Sequence, residues 1–221
     1  MQLLYTAHVP AGDGPFPTIV ALHGWGASAH DLFGLAPHLH GGRALVICPQ
    51  GPVEVPVGPG MSGYGWFPIS MGAPPDPAAF RAAADQLAEF LAAAERRYPV
   101  DPRRTLVMGF SQGGVMAYDL VLREPTHFAG LVGMSTWLPN DLANGIEVRD
   151  ELAQLPVMVT HGTRDLMIDV ERARESRDRR VQMGVSPVYR EYEIEHGISP
   201  DALRDIAVWI EDDVFPPVLA T

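Results

Sequence analysis

The sequence contains no lysine, one cysteine and no long apolar run, and each absence removes a class of function. Without lysine the protein has neither Schiff-base chemistry nor the lysine of a phosphate-binding P-loop. Cys48 cannot form an internal disulfide, which fits a reducing cytoplasm, and its apolar neighbours predict a buried, inert thiol. No segment approaches the roughly 18 to 20 apolar residues that span a bilayer, and no secretory signal pattern opens the chain. We therefore expect a cytoplasmic protein without stable membrane insertion.

Positive charge is also scarce, since 16 basic residues against 27 acidic residues give a formal net charge of −11. That balance repels nucleic acids and anionic membrane surfaces, so we expect neither as a partner. The arginine-rich stretch at 171–180 does not change this expectation. Glu171 with Arg174, and Glu175 with Arg179, lie at helical ion-pair spacings, which predicts a solvated, internally paired face.

The chain has 221 residues, 47% of them hydrophobic, which predicts one large domain over 1–221. Short apolar runs alternate with amphipathic segments, a pattern typical of an α/β protein with a mostly parallel sheet. The predicted strands are Leu3–Val9, Thr18–His23, Ala44–Cys48, Thr105–Gly109, Gly130–Met134, Val157–Thr160 and Val188–Ile194. The predicted helices are Asp31–Leu39, one that begins at Asp76-Pro77 and ends before Pro99, Gln112–Arg123, Val170–Met183 and Pro200–Val214.

The segment from Gly51 to Pro75 is rich in glycine and proline and has no usable periodicity. We expect a loop without regular structure, and loops of this length in compact domains usually have a function. Its many apolar side chains favour a wall over a binding cleft. The alternative is a loop that packs onto the hydrophobic core and covers it.

Residues 106–114 read Leu-Val-Met-Gly-Phe-Ser-Gln-Gly-Gly and contain a G-x-S-x-G motif centred on Ser111. A predicted strand leads into the motif and a predicted helix leads out of it, which is the arrangement of a nucleophile elbow. Small residues two positions before and after the serine let strand and helix approach closely while the hydroxyl points outward. A simple tight turn would explain the glycines but not this context. We therefore predict that Ser111 is a nucleophile.

A serine nucleophile needs a base and an orienting acid, and at an elbow of this kind they follow in the order Ser, Asp or Glu, His. His161 ends a predicted strand, and Asp165 follows it at the edge of the sheet where ligands bind. His196 is the only histidine beyond Asp165, so the order selects it as the base. Asp169 is the rival acid, although its position favours a helix N-cap. For His161 we expect the role of a polar residue beside the site.

An oxyanion hole needs backbone N–H donors, one of them from the residue after the nucleophile, Gln112. The second donor should lie in the loop after an early strand, and we assign it to Trp25 within Leu22-His23-Gly24-Trp25-Gly26. Substrate contacts are predicted for five apolar residues in or near the cleft: Trp66, Phe67, Met71, Trp137 and Leu138.

Taken together, these segments resemble the phospholipase/carboxylesterase family of α/β-hydrolases, which includes acyl-protein thioesterases. The likeness runs over most of the chain, and Phe110-Ser111-Gln112-Gly113-Gly114 is its most specific part. The other matching segments are Leu22–Gly26, Trp66-Phe67, Asp101-Pro102-Arg103, His161-Gly162-x-x-Asp165 and His196. The resemblance implies an α/β-hydrolase fold, with a mostly parallel sheet of about seven strands flanked by helices. It also implies hydrolysis of carboxylic esters and thioesters without a metal or organic cofactor.

The sequence departs from the family pattern at three positions near these motifs. Trp25 stands where leucine is usual, and Ala27 stands where the family often has aspartate. Gly197 follows the candidate histidine and changes how that loop can pack. The first two departures bear on the shape of the acyl pocket more than on the chemistry.

We therefore expect a serine carboxylesterase that hydrolyses short-to-medium acyl esters through an acyl-enzyme. A thioesterase, lysophospholipase, lactonase or perhydrolase-like activity would use the same triad, and the sequence does not separate them. An inactive hydrolase-fold binding module is a further alternative, disfavoured because all three triad members are present. The expected partner is a small-molecule ester or thioester. A homodimer stays open, because exposed aromatics in the 51–75 segment suit either a dimer interface or an apolar substrate.

Overall fold

The structure is a computed structural model that describes residues 3–69 and 75–216. Within those ranges the strands are β1 (Tyr5–His8), β2 (Phe16–Leu22), β3 (Leu45–Pro49), β4 (Val53–Gly58), β5 (Met61–Gly65), β6 (Val100–Phe110), β7 (Gly130–Met134), β8 (Val157–Gly162) and β9 (Val188–Tyr192). The α-helices are α1 (Pro77–Arg97), α2 (Gln112–Arg123), α3 (Asn140–Asn144), α4 (Val170–Gln182) and α5 (Pro200–Trp209). No helix in these ranges is both long and apolar enough to cross a membrane.

Seven strands form the central sheet in the spatial order β1-β3-β2-β6-β7-β8-β9. Strand β1 is antiparallel to β3, and every other pair is parallel. The predicted α/β-hydrolase fold with a mostly parallel sheet of about seven strands is thus confirmed. Strand β2 lies between β3 and β6. The chain therefore adds β3 on one side of β2, and later adds β6 and the following strands on the other side. Ligands in such sheets bind at this kind of reversal, beyond the carboxyl ends of the strands.

The sheet is covered on both faces, which is why its central strands are continuously apolar. All seven residues of β2 and all five of β7 are buried. One face packs against α1 and α2, through side chains such as Leu87 and Val115. The other packs against α5 and a 3₁₀ segment at Phe33–Gly42.

The bounds of α1 follow from local chemistry. The Asp76 carboxylate accepts the N–H of Ala78 at 3.1 Å, and Pro77 occupies the first helical position, where its missing donor costs nothing. Tyr98 is already extended, and Pro99 cannot continue a helix. The predicted start and stop of this helix are therefore confirmed.

Two predicted elements outside the 51–75 segment differ from the structure. The helix expected at Asp31–Leu39 is a 3₁₀ segment interrupted by non-helical residues near its end, and it contains Pro37. Strand β6 begins at Val100 rather than Thr105, because Val100 pairs with Phe16 beyond a register shift. The polar residues and proline at 101–104 gave no strand signal.

The segment at 51–75 is not free of regular structure. It contains an antiparallel hairpin of β4 and β5, with Gly60 in the left-handed region at the turn. The valines at 53, 55 and 57 alternate with other residues, and this period of two was the overlooked strand signal. The hairpin is tied to the loop after β2, since Gly26 N–H donates to Tyr64 O at 2.8 Å and Tyr64 N–H donates to Ala27 O at 2.7 Å.

Candidate active site

Ser111 occupies a sharp turn between β6 and α2. Its backbone lies at φ 53° and ψ −119°, a conformation that non-glycine residues rarely adopt. The turn is held by its N–H, which donates to Met134 O at 2.9 Å, and by the Thr136 hydroxyl, which donates to Ser111 O at 2.7 Å. Such strain costs of order 1–3 kcal/mol and persists only where the surroundings enforce it.

The glycines of the motif are required by close packing of backbone. A Cβ at Gly113 would overlap the carbonyl oxygens of Leu22 and His23, and a Cβ at Gly109 would overlap Gly113 O. The first turn of α2 can therefore lie directly against the ends of β2 and β6. A Cβ at Gly24 would lie 3.3 Å from the Cβ of Ser111, so the loop after β2 passes beside the serine.

His196 and Asp165 are brought together at the carboxyl ends of β8 and β9. His196 Nδ1 lies 2.7 Å from Asp165 Oδ2, and the other carboxylate oxygen accepts the N–H groups of Met167 and Ile168, both at 2.9 Å. These bonds fix the carboxylate and assign the proton to Nδ1 of His196. Its Nε2 is then the basic nitrogen.

Two neighbouring residues have the structural roles expected of them. Asp169 is the N-cap of α4, because its carboxylate accepts the N–H of Glu171 at 2.8 Å. His161 is buried, with Nε2 at 2.8 Å from Ile168 O and 3.5 Å from Asp165 Oδ2. It therefore supports the loop that carries Asp165.

The loop after β2 and the start of α2 present two backbone N–H groups, those of Trp25 and Gln112. Neither has an acceptor among residues 3–69 and 75–216. Both residues line the same cleft as Ser111 and His196. The arrangement supplies free donors beside the serine, which is what a developing oxyanion requires.

Gln112 has a second role that sequence reasoning missed. Its side chain is buried, accepts the N–H of Trp66 at 2.8 Å through Oε1, and donates to Phe67 O at 2.6 Å through Nε2. Both hydrogen bonds run to backbone atoms of the segment that follows β5. Gln112 thus fastens the elbow to the wall of the cleft.

Trp66 does not line the cleft, in contrast to the expectation. It is fully buried, and its Nε1 donates to His23 O at 2.9 Å. His23 Nε2 accepts the N–H of Gly51 at 2.9 Å while Nδ1 lies 2.7 Å from Gly24 O. Burial lowers the pKa of His23, and the hydrogen bond to Gly24 offsets this only in part. The neutral imidazole of His23 and the indole of Trp66 are therefore buried supports of the loop that carries Trp25.

The cleft above Ser111 has a volume of about 1430 Å³. Phe67, Trp137 and Leu138 line it as expected. Met71 lies outside the described residues. Ile69, from the segment expected to form a wall of the cleft, also lines it. Lining residues that the sequence did not indicate include Phe80, Met167, Arg172 and Arg179.

Ser135 is a further residue that sequence reasoning missed. It follows β7 with a positive φ of 44°, and its hydroxyl donates to Gly197 O at 3.1 Å. This bond ties the loop of His196 to the strand beside Ser111. A short polar residue in the left-handed region, directly after a buried strand, cannot be recognised from sequence.

The family model described as Phospholipase/Carboxylesterase matches residues 6–213. The chain belongs to this family. Its members are ester hydrolases, and the chain is accordingly a carboxylic ester hydrolase.

Individual relatives agree with this assignment. The chain is 24% identical to Acyl-protein thioesterase 1 of Gibberella zeae over 222 residues, with 94% of each chain covered. Among solved structures, esterase PE8 superposes with a TM-score of 0.81 at 24% identity, covering 96% of this chain and 100% of its own. Acyl-protein thioesterase 2 of Zea mays gives a TM-score of 0.72 at 25% identity, with 96% and 100% covered.

Proposed function

We propose that the protein is a serine carboxylesterase in which Ser111 is the nucleophile, His196 the general base and Asp165 the orienting acid. The observation that carries this proposal is the hydrogen bond between His196 Nδ1 and Asp165 Oδ2, with His196 lining the same cleft as a serine held at positive φ. In a Ser-His-Asp triad the acid orients the base in this way, which supports the proposed roles.

In the proposed reaction, Nε2 of His196 takes the proton of Ser111 Oγ as the oxygen attacks the ester carbonyl. The N–H groups of Trp25 and Gln112 stabilise the oxyanion of the tetrahedral intermediate. Collapse of this intermediate breaks the bond to the alcohol, which leaves with the proton from His196. Water then attacks the acyl-enzyme by the same route and releases the carboxylic acid.

Hydrolysis of p-nitrophenyl esters from acetate to palmitate tests the proposal. Ser111→Ala should lose about 10⁶-fold in kcat, as in comparable triads, while its thermal midpoint stays near that of the wild type. A fluorophosphonate probe should label the wild type and not Ser111→Ala. Turnover or labelling that survives in this variant would exclude Ser111 as the nucleophile.

Thioester hydrolysis is the second candidate, because the relatives from Gibberella zeae and Zea mays are named acyl-protein thioesterases and are matched along almost their whole length. An oxoester and a thioester of the same acyl group separate the two activities. This function would be favoured if kcat/KM is higher for the thioester than for the oxoester, by a factor larger than the ratio of their uncatalysed hydrolysis rates. Small-molecule substrates, a cytoplasmic location and a homodimer remain predictions, and size-exclusion chromatography with light scattering tests the last.

A further inference from the structure

Four arginines and three acidic residues line the cleft that holds Ser111 and His196. Which of the arginines can bind a ligand depends on the partners that each already has within the protein. The arginines are Arg81, Arg123, Arg172 and Arg179.

Two of these arginines are neutralised within the protein. The buried carboxylate of Asp119 accepts from Arg81 Nη2 at 2.9 Å and from Arg123 Nε at 2.6 Å. Asp85 also accepts from Arg81, at 3.1 Å. These ion pairs join α1 to α2 and leave little charge for a ligand.

Arg172 and Arg179 are not neutralised in this way. No carboxylate oxygen of residues 3–69 and 75–216 lies within 4.0 Å of either guanidinium. The ion pair predicted between Glu175 and Arg179 is therefore wrong, whereas the one between Glu171 and Arg174 is present. Arg174 also pairs with Glu191 of β9, at 2.7 Å. Nε of Arg179 is buried and has no acceptor in the described part of the chain.

The packing of α4 explains why these two arginines face the cleft. The Ser176 hydroxyl donates to Arg172 O at 2.7 Å and accepts the N–H of Leu138 at 3.0 Å, which sets the rotation of the helix. Arg172 then lies with its Cζ 4.5 Å from the centre of the Trp137 ring. A guanidinium on an indole face keeps the N–H groups at its edge free, and these match a carboxylate or a phosphate in pairs.

We propose that the cleft selects esters that carry an anionic group, a carboxylate or a phosphate, apart from the scissile bond, and that Arg172 and Arg179 bind this group. The inference rests on the proposed ester hydrolysis and names its substrate class. Burial lowers the pKa of Arg172, and the negative charge of Glu175 opposes this shift. A ligand anion beside Arg172 would likewise stabilise its partly desolvated positive charge.

Matched substrates test this selection. The p-nitrophenyl monoester of adipic acid is compared with p-nitrophenyl hexanoate, and the p-nitrophenyl ester of ω-phosphonopentanoic acid distinguishes phosphate-like from carboxylate recognition. A second pair, p-carboxyphenyl butyrate and p-carbamoylphenyl butyrate, places the anion on the alcohol side. The readout is the ratio of kcat/KM for the anionic ester to that for its neutral partner.

We expect this ratio to exceed one in the wild type for at least one pair, and to fall about 10- to 100-fold in Arg172→Met, the effect of one charge-assisted hydrogen bond. Arg172→Lys should retain part of the preference, and Arg177→Met should retain all of it. Arg177 loses the same charge from the same helix but does not line the cleft. The preference should also weaken in high salt. A wild-type ratio at or below one for all pairs, or an unchanged ratio in Arg172→Met, would overturn the proposal.

Binding separates this inference from the proposed function. Calorimetric titration with monomethyl adipate should give a Kd about 10-fold or more weaker for Arg172→Met than for Arg177→Met, whether or not any ester is hydrolysed. If no ester is hydrolysed but this difference is found, the esterase proposal fails and the anion site stands. If neutral esters are hydrolysed and no difference is found, the anion site fails alone.

Discussion

Replacing Gln112 with methionine removes both hydrogen bonds between the elbow and the segment at Trp66–Phe67, at nearly constant side-chain volume. The N–H of Trp66 and the carbonyl of Phe67 would then lose the partners that lie at 2.8 and 2.6 Å. Each buried backbone group left without a partner costs about 1–3 kcal/mol, so the two together should lower the free energy of unfolding by about 2–6 kcal/mol. In a domain of this size that corresponds to a fall in Tm of about 5 to 20 °C.

In Gln112→Glu we expect the loss of stability relative to the wild type to depend on pH. A carboxylate at this position still accepts from Trp66 N–H but faces the carbonyl of Phe67 without a proton to donate. The protonated acid restores that donor, so the pKa of the new glutamate should be raised in the folded state. The folded protein then binds more protons than the unfolded chain, and stability relative to the wild type should rise as pH falls through that pKa.

Thermal and denaturant unfolding between pH 5 and pH 8 would measure both effects. Gln182→Met is the matched control, because Gln182 is exposed at the end of α4 and its loss should change stability by less than about 0.5 kcal/mol. Two results would refute the reasoning: a loss of under about 1 kcal/mol in Gln112→Met, or a Gln112→Glu penalty that is no smaller at pH 5 than at pH 8. Either would mean that the Gln112 side chain does not hold the two segments together.

Three further predictions concern the site and its support. Asp165→Asn should lower kcat about 10⁴-fold with little change in fold, because the amide no longer fixes the imidazole tautomer; steady-state kinetics giving under a 10-fold loss would contradict it. Gly113→Ala should destabilise by more than about 3 kcal/mol in denaturant unfolding because its Cβ would overlap backbone, whereas Gly34→Ala, with nothing within 4 Å, should be nearly neutral; equal effects would contradict this. Since the pKa of His23 is lowered, the unfolded chain takes up this proton at higher pH than the folded protein, and stability should fall as pH drops below about 6.5. His23→Gln should flatten that fall in a pH series, and an unchanged slope would contradict the assignment.

The residues of the candidate site could be predicted because the chemistry and the sheet topology constrain them jointly. A nucleophile, an acid and a base must each follow the carboxyl end of a parallel strand, and the order along the chain left His196 as the only base. The geometry agrees, since Ser111 follows β6, Asp165 follows β8 and His196 follows β9. The glycines of the motif also predicted close backbone packing correctly, although the atoms that a Cβ at Gly113 would meet belong to Leu22 and His23, far away in the sequence.

The contacts that hold this site in place could not be predicted. Gln112 appears in the motif as the residue after the nucleophile, but nothing in the sequence shows that its amide reaches Trp66 and Phe67, which are more than forty positions away. The resemblance to the family's aromatic pair predicts that Trp66 lines the cleft, and this prediction is wrong. Adjacent side chains in an extended segment point in different directions. Here Trp66 is buried beneath the loop of Trp25, whereas Phe67 lines the cleft.

The charge run on α4 shows how a correct pattern can give an incomplete conclusion. Spacings of three and four residues predict that Glu171 pairs with Arg174, and it does. The comparable spacing between Glu175 and Arg179 produces no ion pair among the described residues. Glu175 and Arg179 both line the cleft, and Ser176 between them accepts the backbone N–H of Leu138. The elbow motif is readable from the sequence, whereas the orientation of the arginines on α4, on which the proposed selection among substrates rests, is visible only in the folded structure.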